Sequence, residues 1–217
     1  MAQTKEKLVK ASAGEVELEG FLTIPENATG IVLFAHGSGS SRHSPRNQAV
    51  AKTLSDGGVA TLLIDLLTQE EEKVDMVTRE LRFDIGMLAG RVAAVVDWLS
   101  QYSETEKLNI GLFGSSTGAA AALVAAAEKG EMVKAVVSRG GRPDLAGGSL
   151  PKVRSPSLFI VGGNDSVVID LNKQALDLMN CEKRLSIIEG ATHLFEEHGT
   201  LEDVADQALT WFKSHLS

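Results

Sequence analysis

The sequence predicts an α/β protein in which helices cover both faces of a doubly wound, mostly parallel sheet. Three observations support this prediction. Short, almost uniformly apolar runs recur along the chain, as in strands that are buried on both faces of a parallel sheet. Helical patterns separate most of these runs. No linker, internal repeat or change of composition divides the 217 residues, so we expect a single domain over residues 1–217.

The individual elements follow from the polarity pattern. Residues 15–24 alternate polar and apolar side chains, which is typical of a half-exposed strand, and Pro25 ends that segment. Apolar strands are predicted at 31–35, 59–64, 108–113, 133–137, 158–161 and 185–188. Helices are predicted at 47–55, at 70–99 with a break near Gly86, and at 116–128, 171–179 and 201–215.

Composition and charge exclude several classes of function. A net charge of −8 argues against a general nucleic-acid-binding protein and gives no reason to expect binding to an anionic membrane. The one cysteine, Cys181, rules out an intramolecular disulfide. The first residues contain no apolar segment typical of a secretory signal, and no run approaches 18 apolar residues. We therefore expect a soluble cytoplasmic protein; the sequence predicts no oligomeric state.

The segment Gly114-Ser115-Ser116-Thr117-Gly118 lies between an apolar strand and an alanine-rich helical pattern. A G-x-S-x-G pattern in this context is typical of a sharp turn that presents a nucleophilic serine above the sheet. Ser116 is therefore the candidate nucleophile. Two glycine-rich segments are poor nucleotide sites: residues 37–42 have Arg42 where the third glycine belongs, and residues 111–118 contain no lysine.

A serine nucleophile needs a base, and the base needs a carboxylate that orients it. Asp165 follows the strand 158–161 and His193 follows the strand 185–188, so acid and histidine come after Ser116 in the order nucleophile, acid, histidine. All three candidates lie at carboxyl ends of strands, where open α/β sheets build their sites. The weaker alternatives are the histidines and acids near the same edge: His36, His43, His198, Asp144 and Asp170.

Acyl transfer also needs donors for the charge that develops on the carbonyl oxygen. The backbone N–H of Thr117, the residue after the nucleophile, is the first candidate for this oxyanion hole. The loop at residues 36–39 should supply the second donor, for which we favour the backbone N–H of Ser38.

With these motifs, the chain resembles the dienelactone-hydrolase-like group of α/β-hydrolases over nearly all of its length. The segments that support the resemblance are 36–44, 114–118, 162–165 and 190–197. The founding dienelactone hydrolases use a cysteine nucleophile, whereas this chain has Ser116. The resemblance therefore implies an α/β-hydrolase fold and a carboxylester hydrolase for small esters or lactones, with no metal and no organic cofactor.

Four arginines near the predicted site suggest an anionic group on the substrate, since guanidinium groups match carboxylate and phosphate oxygens. They are Arg42, Arg46, Arg139 and Arg142. The alternative is that they pair with local acids such as Asp144, Asp65 or Asp84. No long insertion predicts a large cap domain, and residues 66–86 are the longest candidate cover.

Two other functions share these features. The first is a small-molecule binding protein that keeps the hydrolase fold without turnover, because fold alone does not settle function. The second is an acyltransferase that uses the same three residues with an acceptor other than water.

Overall fold

In the computed structural model, which describes residues 6–217, eight strands form one sheet in the order β1-β2-β4-β3-β5-β6-β7-β8. The strands are Glu6–Ala13, Val16–Thr23, Gly30–Ala35, Ala60–Ile64, Asn109–Ser115, Val133–Arg139, Ser157–Gly162 and Lys183–Ile188, numbered β1 to β8. The helices α1 to α6 are Pro45–Asp56, Gln69–Thr78, Ile85–Leu99, Thr117–Lys129, Ser166–Leu178 and Thr200–His215. Short 3-10 segments lie at Leu81–Phe83, Gly130–Met132 and Pro143–Lys152.

The sheet is antiparallel at one edge, where β2 pairs with β1 and β4, and parallel from β4 to β8. The doubly wound, mostly parallel fold predicted from the sequence is confirmed. Successive side chains of a strand point to opposite faces, so Leu33 lies in the core under α3 and α4 while Phe34 lies in the core under α1 and α6. Burial of both faces explains why the central strands are apolar throughout.

Three elements differ from the sequence prediction. Strand β1 was not predicted, because its inward residues include the small Ala11 and Ala13, which are weak strand formers until they pack against β2. Helix α5 begins at Ser166 rather than at residue 171, since the β-branched run 167–169 disguises its first turn. The predicted helix 70–99 is broken as expected, but the break lies at residues 79–84, ahead of Gly86, because Asp84 caps α3.

Helix α2 is held on the molecule mainly by Glu71. The Thr68 hydroxyl accepts from the Glu71 N–H, and the Glu71 carboxylate accepts from the Thr68 N–H at 2.8 Å, which is a capping box. The same carboxylate accepts two hydrogen bonds from Arg91 of α3. The hydrogen bonds from Arg91 lower the pKa of Glu71 from 4.5 to about 2.

This lowered pKa predicts a pH-dependent contribution of Glu71 to stability. A carboxyl whose pKa is lower in the folded state stabilises the fold above its ordinary pKa, and the contribution disappears as the pH falls through the lowered value. Glu71→Gln should therefore decrease the free energy of unfolding near neutral pH, and by less at about pH 3, where this contribution is already partly lost. Urea unfolding at both pH values measures this. Glu70→Gln, at a side chain that is 81% exposed, is the matched control. An equal loss at both pH values would contradict the role of the Arg91 contact.

In the part of the chain that the structure describes, no helix is long and apolar enough to cross a membrane.

Candidate active site

Ser116 lies at the turn between β5 and α4, in a backbone conformation that residues other than glycine rarely adopt. Its φ of 51° and ψ of −123° place a non-glycine residue at positive φ. Such a conformation costs about 1–3 kcal/mol and persists only where the surroundings hold it. Here the Ser116 N–H donates to the Arg139 carbonyl at 3.2 Å, and the Ser116 carbonyl accepts from the Arg142 N–H at 3.0 Å.

The two glycines of the motif allow this turn because chain segments pass close to them. A Cβ built on Gly114 would lie 2.3 Å from the Ala119 Cα, so only glycine lets α4 begin directly above β5. A Cβ built on Gly118 would lie 2.2 Å from the Ala35 carbonyl oxygen. The motif thus packs the start of α4 against the ends of β3 and β5.

Asp165 and His193 meet at the carboxyl ends of β7 and β8. The His193 Nδ1 lies 2.6 Å from the Asp165 Oδ2. Because an ionised carboxylate only accepts, Nδ1–H is the donor, and this tautomer leaves Nε2 of His193 as a proton acceptor. The Asp165 side chain is 17% exposed and that of His193 is 39% exposed, so the carboxylate is enclosed while the imidazole edge reaches solvent.

The loops that hold these two residues are joined by hydrogen bonds that the sequence analysis missed. The Asn164 side chain donates to the Gly190 carbonyl at 2.8 Å, and its N–H donates to the Ala191 carbonyl at 2.9 Å. The Glu197 carboxylate accepts from the Thr192 N–H at 3.0 Å, and hydrogen bonds from Thr192 hold the pKa of Glu197 below its ordinary value. Asn164 is next to Asp165 in the sequence and Glu197 is four residues after His193. This proximity was the only sequence signal that could have pointed to them.

Ser116 and His193 both contact the carboxyl end of β6 and the residue that follows it. Ser116 bonds to the Arg139 carbonyl, and a Cβ on the next residue, Gly140, would lie 3.5 Å from the His193 Cε1. Among the described residues, the Ser116 hydroxyl forms no hydrogen bond to His193. Catalytic hydrogen bonds of this kind are often long in free enzymes and shorten when substrate binds.

One candidate oxyanion donor is hydrogen-bonded to the side chain of the residue that supplies the other. The Ser38 N–H donates to the Thr117 hydroxyl at 2.8 Å. The Thr117 N–H belongs to the first turn of α4, where backbone donors have no intrahelical partner. Gly37 packs against the nucleophile, since a Cβ there would lie 3.0 Å from the Ser116 Cβ. The loop after β3 is therefore adjacent to the nucleophile. In this structure the Ser38 N–H already donates its hydrogen bond to the Thr117 hydroxyl.

A narrow cleft that is open to solvent lies beside this loop. Residues 37–41 form one wall, and Leu66, Leu67 and Leu88 supply apolar surface. Glu72, Asp75 and Arg82 close the far side, so the segment 66–86 contributes a wall of the cleft. Because Gly37 borders both the cleft and Ser116, the cleft leads towards the nucleophile.

The alternative histidine His36 is a structural residue between two loops. It is half-buried, its Nδ1–H donates to the Gly37 carbonyl at 2.9 Å, and its Nε2 accepts from the Leu66 N–H at 3.0 Å. Burial lowers the pKa of His36, which keeps the ring neutral. Of the alternative acids, Asp144 pairs with Arg142 and Asp170 lies near Lys173.

The four arginines differ in their contacts. Arg42 pairs with Glu19 at 2.7 Å and with Asp65, and Arg142 pairs with both oxygens of Asp144 at 2.9 and 2.8 Å. Arg46 reaches the Glu196 carboxylate at 3.3 Å. The buried Arg139 has a Nη1 without a hydrogen-bond partner in the described part of the chain. Three of the four arginines therefore pair with local acids, Arg46 only with the exposed Glu196, whereas Arg139 forms no ion pair with the described residues.

Across residues 6–217, no group of three or more His, Cys, Asp or Glu side chains is arranged to hold a metal ion.

The fold and this edge of the sheet define the class of protein. The family model of the dienelactone hydrolase family matches residues 18–216, and the chain belongs to that family, which has the α/β-hydrolase fold. A crystal structure of a dienelactone hydrolase from Anabaena variabilis is similar at 59% identity, with a TM-score of 0.98 over 99% of this chain and 100% of that one. The resemblance inferred from the sequence motifs is confirmed.

More distant structures share the fold alone. Est1E from Butyrivibrio proteoclasticus is 19% identical, with a TM-score of 0.75 over 95% of this chain and 98% of that one. The dienelactone hydrolase-like promiscuous phosphotriesterase P91 from metagenomic libraries is 16% identical, with a TM-score of 0.79 over 99% of each chain.

A curated Mycobacterium tuberculosis relative carries a different name. The protein named "Putative phosphoribosyl transferase" is 54% identical over 212 residues, which are 98% of this chain and 47% of the relative. This chain therefore spans about half the length of the curated relatives that it matches. Their name describes proteins about twice as long.

Proposed function

We propose that the chain hydrolyses small carboxylic esters or lactones through an acyl-enzyme on Ser116. The observation that supports this most directly is the positive φ of Ser116 at the start of α4, on the same sheet edge as the Asp165–His193 hydrogen bond. A strained, half-buried serine turn has no evident structural purpose, and backbone strain of this kind is concentrated at functional sites.

The chemistry follows from the tautomer of His193. Nε2 takes the Ser116 proton as Oγ attacks the acyl carbon, and the same proton then goes to the leaving alcohol as the ester C–O bond breaks. Water attacks the acyl-enzyme in the second half, with Nε2 again accepting a proton, and Ser116 is regenerated. Asp165 fixes the ring orientation and stabilises the imidazolium that forms in both halves.

The developing oxyanion is stabilised by the backbone N–H groups of Thr117 and Ser38 in this proposal. Because the Ser38 N–H donates to the Thr117 hydroxyl in the free protein, this hydroxyl must rotate away before the second donor is available. A missing donor of this type costs about 2.7–4 kcal/mol in the barrier.

The size of the cleft favours compact substrates. The cleft is narrow, because only about 30 Å³ of it is space that a water-sized group can occupy, so compact groups alone would enter it without movement of its walls. The three leucines of the wall fit an apolar acyl or alcohol group, and the polar far side fits a substrate with hydrogen-bonding groups.

Asp165→Asn tests the assignment of the triad. The amide cannot stabilise the imidazolium and favours the wrong tautomer, so kcat for p-nitrophenyl acetate should fall about 10³- to 10⁴-fold. Asp170→Asn is the matched control, because Asp170 is 71% exposed and lies in α5 away from His193.

The pair of variants gives a clear decision. A normal rate in Asp170→Asn with a large loss in Asp165→Asn supports the triad. An Asp165→Asn protein that is folded and retains most of its rate would show that another carboxylate, or none, orients the base. No hydrolysis by the wild-type protein would leave the small-molecule binding function as the better description.

A further inference from the structure

Arg139 carries a buried positive charge that the protein itself does not neutralise. It ends β6 on the face shared with Ala135 and Val137, towards α1 and α6, and only 7% of it is exposed. No carboxylate of the described residues forms an ion pair with it, and its Nη1 has no partner there. A desolvated, unpaired guanidinium is strongly unfavourable.

A second arginine lies near this charge. Arg46 belongs to the first turn of α1, and its buried Nε also lacks a hydrogen-bond partner within residues 6–217. Burial first, and the nearby Arg46 second, lower the pKa of Arg139 to about 10, so the Arg139 guanidinium is still charged near neutral pH. The contact of Arg46 with Glu196 is at the surface, where the Glu196 side chain is 65% exposed, and such pairs contribute little.

The backbone of Arg139 contacts the nucleophile, and its side chain lies on the face of the sheet opposite the apolar wall of the cleft. The Arg139 carbonyl accepts from the Ser116 N–H, and Gly140 packs against His193. The cleft residues Leu66 and Leu88 belong to the core under α3 and α4, whereas Arg139 lies on the α1 face. A substrate held at Ser116 thus has the cleft on one side and the cationic pair Arg46–Arg139 on the other.

We propose that the pair Arg46–Arg139 binds a phosphate group of the substrate, a subsite that rests on the proposed ester hydrolase function. A phosphate dianion compensates two positive charges and offers oxygens to both guanidinium groups, whereas a carboxylate compensates one. The N-terminus of α1 adds partial positive charge at the same place. Arg42 and Arg142 are outside this subsite, because Arg42 pairs with two carboxylates and Arg142 with both oxygens of one, whereas Arg46 has a single contact with the exposed Glu196.

Inorganic phosphate is the probe, measured by isothermal titration and by thermal unfolding against chloride at matched ionic strength. Wild-type protein should bind phosphate and unfold at a higher temperature in its presence. Arg139→Met should bind phosphate about 30-fold more weakly or worse. Arg154→Met is the matched control: Arg154 is 75% exposed and precedes β7, at the opposite edge of the sheet, so phosphate binding should equal that of the wild type.

The unfolding temperature without phosphate separates a ligand-binding arginine from a structural one. Removal of an uncompensated buried charge should raise the unfolding temperature of Arg139→Met, whereas loss of a structural arginine would lower it. Arg46→Met, at a side chain that is 35% exposed, should also weaken phosphate binding. If Arg139→Met fails to fold, this second variant tests the phosphate subsite in its place.

Three outcomes would overturn the phosphate subsite: no phosphate binding by the wild type, equal binding in the Arg139→Met and Arg46→Met variants, or succinate binding as tight as phosphate. The hydrolase function is tested separately with p-nitrophenyl acetate, which carries no phosphate. Hydrolysis without phosphate binding would overturn the subsite alone, and phosphate binding without hydrolysis would overturn the ester hydrolase alone.

Discussion

Ser116→Ala should remain folded and lose ester hydrolysis. The substitution keeps the backbone turn and removes only Oγ, the atom that would form the acyl-enzyme. When a nucleophile of this type is removed, kcat falls about 10⁴- to 10⁶-fold, because the histidine and carboxylate have no hydroxyl to activate. Steady-state hydrolysis of p-nitrophenyl acetate measures the loss, and the initial burst of nitrophenol should disappear with it.

Ser115→Ala is the matched control, because Ser115 is the preceding residue, at the buried end of β5. Its hydroxyl is not assigned to any step, so this variant should hydrolyse the ester at a rate close to that of the wild type. A Ser116→Ala protein with a wild-type rate would contradict the acyl-enzyme at this residue.

Gly118→Ala should strongly destabilise the protein. The new Cβ would lie 2.2 Å from the Ala35 carbonyl oxygen and 2.4 Å from that of His36, and both are backbone atoms that cannot rotate away. Helix α4 would have to move off β3, so the loss should exceed about 3 kcal/mol of unfolding free energy. Urea unfolding at neutral pH measures it.

The same change at Gly90, Gly90→Ala, should have the opposite effect on the free energy of unfolding. Gly90 is exposed within α3, and a Cβ there meets nothing within 4 Å. Alanine is favoured over glycine inside a helix, so this variant should gain about 0.5–1 kcal/mol. Equal effects of the two substitutions would contradict the close approach of α4 to β3.

The sequence predicted those features that depend on local pattern and strand order. Central strands such as β3 and β5 are apolar because both faces are buried, so they could be located without the structure. Ser116, Asp165 and His193 each follow a strand, and the parallel topology brings their loops to one edge. The Asp165–His193 hydrogen bond is the direct consequence of neighbouring strands β7 and β8.

Features that depend on contacts between distant residues were not accessible. The partners of Arg42 lie 23 residues away on β2 and after β4, in opposite directions along the chain. That the Nη1 of Arg139 has no hydrogen-bond partner among the described residues can be recognised only when the positions of the surrounding side chains are known. The Ser38–Thr117 contact joins residues 79 positions apart. Strand β1 is stable only through its register with β2, in which Ala11 lies opposite Leu18.

Covalent labelling with a fluorophosphonate, followed by peptide mapping by mass spectrometry, tests the central claim most directly. The reagent reacts with a serine only when a neighbouring base activates its hydroxyl. The wild-type protein should carry one adduct, on the peptide that contains Ser116, and His193→Gln should carry almost none. An unlabelled wild-type protein, or an adduct on another residue, would contradict Ser116 as an activated nucleophile.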